Sequence, residues 1–210
     1  MVELNITKDQ SGKLIGLTGG IASGKSTAAE ILKKMGCLVI NADQLGHETY
    51  QKGNYTYNEI ISFFGNKILD KQEEIDRRKL GSLVFADKTK LNKLCDIVWP
   101  EIKSLGKKKI VQTRIAQPQA NIILEAAVLL EASWDNMVDE VWVIYVEPDL
   151  ALKRLMSRNQ LSLPEAQARL AAQMTNTERL SKANASYENK GSIEMLKSAL
   201  EQMLFSSSPG

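Results

Sequence analysis

Leu14-Ile15-Gly16-Leu17-Thr18-Gly19-Gly20-Ile21-Ala22-Ser23-Gly24-Lys25-Ser26-Thr27 is the stretch on which the fold turns. Its first five residues are an apolar run, and Gly19 to Ser26 fit the pattern G-x-x-x-x-G-K-[ST] of a phosphate-binding loop. A helix-like stretch from about Ser26 to Met35 follows, with Gly36 placed to end it. Strand, loop and helix in that order are the context in which such a loop works. Glycine lets the backbone curl so that successive N–H groups point at phosphate oxygens, and the helix N-terminus adds partial positive charge. Lys25 has the reach for the β- and γ-phosphates of ATP, and the Ser26 hydroxyl suits Mg²⁺. Gly20, Ala22, Ser23, Gly24, Lys25, Ser26 and Thr27 are therefore the expected nucleotide contacts.

Outward from this loop, strand and helix signals alternate at both ends of the chain, which predicts an α/β fold with a parallel sheet of five strands flanked by helices. Leu38 to Asn41 reads as the second strand and Asn121 to Leu124 as a third. Glu140 to Val146 is apolar nearly throughout, as buried parallel strands are. Pro148 opens a helix through about Arg158, Ala185 to Tyr187 is a weak strand, and Ser192 to Leu204 is the last helix before a tail expected to fray. Between the second strand and Asn121 lie roughly 80 residues of helical character, far more than a βαβ crossover needs. That stretch predicts an inserted helical subdomain. Within it Asp76 is an N-cap for Arg77 to Phe85, and Trp99-Pro100 is expected to separate a helix over Lys88–Val98 from one over Glu101–Ala116. Ser162-Leu163-Pro164-Glu165 and Thr175-Asn176-Thr177-Glu178 both read as capping boxes.

Composition sets broad limits. A chain of 210 residues with 43% hydrophobic and 25% charged residues suits one mid-sized domain with insertions. A net charge of +2 gives no reason to expect nucleic acid or an anionic membrane as partner. No apolar run is long enough to span a bilayer, and Met1 to Lys13 lacks the apolar centre of a signal peptide. Cys37 and Cys95 lack metal or redox spacing and read as reduced thiols, so the expected location is the cytoplasm. Nothing here speaks to the oligomeric state.

Three classes of phosphate-loop protein compete. A GTPase needs D-x-x-G and N-K-x-D; Asp43-Gln44-Leu45-Gly46 fits the first, but Asn92-Lys93-Leu94-Cys95-Asp96 is one residue too long for the second. A motor-type ATPase needs an apolar strand ending in Asp-Glu, which is absent. A small-molecule kinase needs a carboxylate past the second strand, a substrate insertion and an arginine-bearing lid. Asp43 is that carboxylate, placed to accept the proton of an attacking hydroxyl, with helix capping as its structural alternative. Arg154, Arg158, Arg169 and Arg179 are the candidate lid arginines, of which at least two should be ordinary surface charges. Arg77 and Arg78 could meet a substrate phosphate. The alternatives to be tested against are another kinase of this class and a nucleotide-binding module without catalysis.

The ordered set Leu17 to Thr27, Val39-Ile40-Asn41-Ala42-Asp43, Ile75 to Leu80, Leu129-Leu130-Glu131, Leu152 to Arg158 and Ala172-Gln173 resembles the dephospho-CoA kinase family over about residues 14 to 204. The resemblance implies transfer of the γ-phosphate of ATP, with Mg²⁺, to the ribose 3′-hydroxyl of dephospho-CoA, the last step of CoA biosynthesis. It implies an adenylate-kinase-like fold: a nucleotide core over 14–45, 119–155 and 180–204, a helical CoA subdomain over 46–118 and a lid over 156–179. Catalytic roles fall on Asp43, Lys25 and Arg158, substrate contacts on Asp43, Arg77 and Glu131, and an adenine-side contact on Asn189. The sole histidine, His47, matches a position often His in the family, where a helix-surface role is expected. The chain departs from the family where Asn41-Ala42-Asp43 replaces Asp-x-Asp and Trp99-Pro100 replaces His-Pro. Trp99-Pro100 and Ala126 to Ala132 look like the kinase domain of the animal-type bifunctional CoA synthase.

Overall fold

The computed structural model describes residues 12–85 and 87–207. The polar N-terminal stretch up to residue 11 and the end of the tail, 208–210, lie outside the described residues. The described residues divide into two compact units, one running up to Ile40 and again from Ile110 onward, the other Asn41–Lys109.

In the first unit the apolar runs become a five-stranded parallel sheet in the order β2-β3-β1-β4-β5. Its strands are β1 (Leu14–Thr18), β2 (Leu38–Asn41), β3 (Ile122–Glu125), β4 (Glu140–Tyr145) and β5 (Ala185–Glu188). β1 is central and pairs in parallel with β3 and β4, with Leu17 opposite both Glu125 and Trp142. Every residue of β1 and β3 is buried, so neither alternates polar and apolar side chains. Helices α1 (Lys25–Lys34) and α9 (Ile193–Ser207) supply Ala28, Ala29, Leu32, Leu196 and Leu200 to a core with Ile15, Leu17, Ile123, Trp142 and Ile144 of the sheet. Burial on this scale, about 25 cal/mol per Å² of apolar surface, is what holds the short, otherwise marginal helices in place. Gly36 at φ +93° ends α1 in the left-handed conformation that glycine favours.

α6 (Pro148–Asn159), α7 (Leu163–Ala171) and α8 (Asn176–Leu180) follow β4. Both capping boxes form: Glu165 accepts from Ser162 N, and Glu178 from Thr175 N. The tail does not fray where expected. α9 continues through Ser206 to Ser207, because the buried Ser207 hydroxyl donates to Glu140 at 2.6 Å. Glu140 also accepts from Lys13 Nζ and from the indole N–H of Trp142.

The second unit is helical: α2 (Ala42–Thr49), α3 (Tyr55–Phe64), α4 (Arg77–Phe85) and most of α5 (Lys88–Ala116). It begins and ends earlier in the chain than the 46–118 expected. α5 is one helix across Pro100, where a break was expected. Proline removes one hydrogen bond from a helix interior, but Val98, Ile102 and Gly106, spaced by four, bury one continuous face on both sides of it. Gly106 lies against Leu45, and Gly46 against Ile102, so α2 seats directly on α5. Ala42, Tyr57, Ile60, Phe64, Ile68, Leu80 and Val84 are further buried apolar side chains of this unit.

Candidate active site

Gly19 to Ser26 leave the C-terminal end of β1 and enter α1, as the spacing predicts. Ala22 at φ +60° and Gly24 at φ +91° put left-handed residues in the curl, the geometry that turns successive N–H groups inward. Gly24 is obligatory on a second count: a Cβ there would lie 2.2 Å from Asn189 Nδ2. Lys25 Nζ lies 2.8 Å and Ser26 Oγ 2.9 Å from the same oxygen, Oε1 of Glu125. Glu125 is 3% exposed and is the last residue of β3, one beyond the predicted end of that strand. It was missed as a site residue, although an apolar strand ending in a carboxylate beside the phosphate loop was a legible signal.

Three consecutive residues of the loop are each held by a side chain from far along the chain. Ile21 N donates to Gln173 Oε1 at 2.8 Å. Arg154 Nη1 donates to Ala22 O at 3.4 Å, and Asn189 Nδ2 to Ser23 O at 2.7 Å. The protein's own side chains thus hold the loop in shape, and such preorganisation lowers the ordering cost of binding. Asn189, expected on the adenine side, is nine-tenths buried against the loop itself. Ala22, Gly24, Thr27, Arg154, Arg158 and Asn189 line one cavity of about 320 Å³. Arg158 lies on the exposed face of α6, where its Nε donates to Asn159 Oδ1.

The four arginines separate cleanly. Arg158 and Arg169 are exposed and Arg154 is half-buried. Arg179 is 2% exposed, with Nη2 donating to Glu131 Oε1 at 2.9 Å and Nη1 to Met174 O. Glu131, expected on substrate, is engaged with Arg179, while its Oε2 and the Arg179 Nε are buried without hydrogen-bond partners among the described residues. Nothing at sequence level ranked Arg179 above its neighbours, because a buried arginine is recognised only from what surrounds it.

The second unit carries the remaining site residues. Asp43 is in the exposed first turn of α2, one turn before His47. Burial, and then the positive charge of Arg77, push the His47 imidazole below its ordinary range, while Asp43 opposes them. Arg77 also acts on Tyr50, whose phenol is raised by burial and lowered by that charge. Arg77, at the start of α4, is thus close enough for its charge to act on both His47 of α2 and Tyr50 just past its end. Asp76 fixes that start: its carboxylate accepts from the N–H groups of Arg78 and Lys79, which together hold it below the usual carboxylate range. Arg78 also lies in the exposed first turn. Among the described residues no three His, Cys, Asp or Glu side chains group as a metal site.

A parallel sheet in this order, with a phosphate loop leaving its central strand and carrying Lys25 and Ser26, defines a P-loop kinase. A family profile for dephospho-CoA kinase matches residues 13–195. The chain belongs to the dephospho-CoA kinase family. It is 40% identical over 187 residues to a dephospho-CoA kinase of Moorella thermoacetica, covering 89% of this chain and 88% of that protein. A crystal structure from Thermus thermophilus superposes with TM-score 0.79 at 27% identity, covering 95% of this chain and all of that one. The dephospho-CoA kinase of Campylobacter jejuni gives 0.67 at 30% identity, covering 93% and 96%.

Proposed function

We propose that this chain transfers the γ-phosphoryl group of ATP to the ribose 3′-hydroxyl of dephospho-CoA, giving ADP and CoA. The observation that carries the proposal is the preshaped loop with Lys25 and Ser26, in a chain of the dephospho-CoA kinase family. Phosphoryl transfer asks little covalent chemistry of a protein; positioning and charge stabilisation account for the rate. The loop N–H groups and Lys25 take the phosphate charge. Asp43 takes the proton of the 3′-hydroxyl as that oxygen attacks. Arg77 meets a phosphate of the acceptor, and Arg158 one of the donor. Asn189 works from behind, by holding Ser23.

Mg²⁺ is a proposed companion of ATP. Magnesium favours hard oxygen donors and is held by one or two carboxylates together with substrate phosphates. The Ser26 hydroxyl and the Glu125 carboxylate, 2.9 Å apart, are a partial set of that kind. When bound, the ion would neutralise charge on the β- and γ-phosphates. No helix among the described residues is long and apolar enough to cross a membrane. Cys37 and Cys95 are free thiols, which suits the reducing cytoplasm as the proposed location.

An ADP-release assay with purified protein, ATP, Mg²⁺ and dephospho-CoA, with CoA identified by mass, tests the proposal. Turnover with shikimate, gluconate or a nucleoside monophosphate, but not with dephospho-CoA, would assign the chain to another kinase. ATP binding with no ADP release for any acceptor would make it a binding module.

A further inference from the structure

The segment between α7 and α8 is tied into the nucleotide loop, and the residue that makes the tie, Gln173, has so far been given no role in the reaction. Gln173 Oε1 accepts the Ile21 N–H at 2.8 Å. A Cβ placed on Gly20 would lie 3.4 Å from Arg179 Nη1 and 3.7 Å from Gln173 Oε1, so both side chains pack directly on the first turn of the loop. Arg179 is held in turn by Glu131 and by Met174 O. Asn176 Nδ2 donates to Val146 O at 2.9 Å, which fastens the same segment just past the end of β4. Residues 173–179 therefore bridge the loop, the β4 terminus and Glu131.

We infer that Gln173 and Arg179 are positioning residues for the phosphoryl donor: they set the Gly20–Ile21 turn and hence where the loop amides that follow present themselves to phosphate. The physical case is one of commitment. A backbone N–H bonded to Gln173 is not available to rotate toward solvent or phosphate, so the outer arm of the loop has one conformation. Glycine at position 20 would otherwise leave that arm the freest part of the loop. Arg179 keeps Gln173 in register by filling the space beneath Gly20. Its partner Glu131 offsets the cost of burying a guanidinium, since an unpaired buried charge is strongly unfavourable. The inference deepens the proposed function, because it takes ATP as donor, but it concerns binding of ATP alone and needs no acceptor.

The test is ATP affinity by calorimetry for Gln173→Met and Gln173→Glu beside the unaltered chain, with melting temperature recorded for each. Met matches the length and removes the acceptor; Glu restores an acceptor oxygen at the same reach. Gln173→Met should weaken ATP binding about three- to tenfold, the range a single hydrogen bond supports. Gln173→Glu keeps the acceptor but adds a negative charge beside the phosphate loop, so its loss of ATP affinity should shrink as salt is raised while that of Gln173→Met should not, and both should melt close to the unaltered chain. Arg179→Lys, which retains the charge but not the planar fork, should weaken ATP binding in the same direction. Unchanged ATP affinity in Gln173→Met overturns the inference. So does a fall in melting temperature without a change in affinity, since that means packing alone. ATP binding without transfer to dephospho-CoA would defeat the proposed function and leave this inference standing. A chain that binds no ATP defeats both.

Discussion

Asn41 Oδ1 accepts the backbone N–H of Gln44 at 2.9 Å, and this makes Asn41, rather than Asp43, the N-cap of α2. The capping alternative for Asp43 is thereby answered by a neighbour. Asn41 stands where the family usually has a second aspartate, and an amide oxygen caps a helix as well as a carboxylate does. Asp43→Asn should therefore keep the fold, at a cost of no more than about 1 kcal/mol from the charge lost in the first turn of α2, and lower turnover about 10²–10⁴-fold, the usual contribution of a general base. Asn41→Ala should do the reverse in kind, costing about 1 kcal/mol of stability through loss of the cap. Steady-state rates and urea unfolding on the two variants separate the roles. A stable, fully active Asp43→Asn protein would move the base elsewhere.

Lys25→Ala should lower kcat by at least about 10²-fold, as loss of a group that stabilises transition-state charge does. The circular dichroism spectrum should not change, because the core under α1 is built from Ala28, Ala29, Ile31 and Leu32. Normal turnover by the folded variant would remove Lys25 from the reaction.

Glu140 gathers three donors, Lys13, Ser207 and Trp142. Burial opposes its ionisation, yet those hydrogen bonds, Lys13 foremost, outweigh burial and hold the carboxyl below its ordinary range. A carboxyl depressed in the folded state binds fewer protons than in the unfolded chain. Its contribution is present above the unfolded value of about 4.3 and is lost as pH falls through the folded midpoint. Ser207→Ala should cost about 1 kcal/mol at neutral pH, and less in strong acid. Chemical unfolding at pH 7 and in acid measures both; an equal cost at the two pH values would contradict the network.

His47 should titrate below the ordinary histidine value of about 6.5. The folded chain then binds fewer protons than the unfolded one in the window just below that value, so His47 makes stability rise with pH there. Arg77→Met removes the second cause after burial, and the His47 midpoint seen by NMR should move up. An unmoved midpoint would mean that the Arg77 charge does not act on His47.

The stretch 156–179, expected to form a lid, has two parts. Hydrogen exchange across 160–172 should slow when ATP and dephospho-CoA are both bound, because α7 contributes only Ala166 to the buried core. Residues 173–179 should already be protected without ligand, through Gln173, Asn176 and Arg179. Free exchange at 173–179 in the unliganded protein would show that these bonds do not hold that segment.

The phosphate loop, all five strands and the caps at Ser162, Thr175 and Asp76 were legible in the chain, because each is a local pattern: a spacing, an apolar run, or a polar residue at a helix start. What the tertiary structure decided is of another kind. Pro100 failed to break α5 because Val98 and Ile102 are buried on one face across it. Ser207 extended α9 because its hydroxyl reaches Glu140, 67 positions away. Glu125 joined Lys25 and Ser26, and Gln173, Arg154 and Asn189 closed on three successive loop residues from as many as 166 positions away. Arg179 stood out from three similar arginines only once its surroundings were formed. Local patterns choose the elements, since backbone conformation answers to near neighbours. Which side chain completes a site depends on which elements the buried core brings together, and that is settled only when the chain has folded.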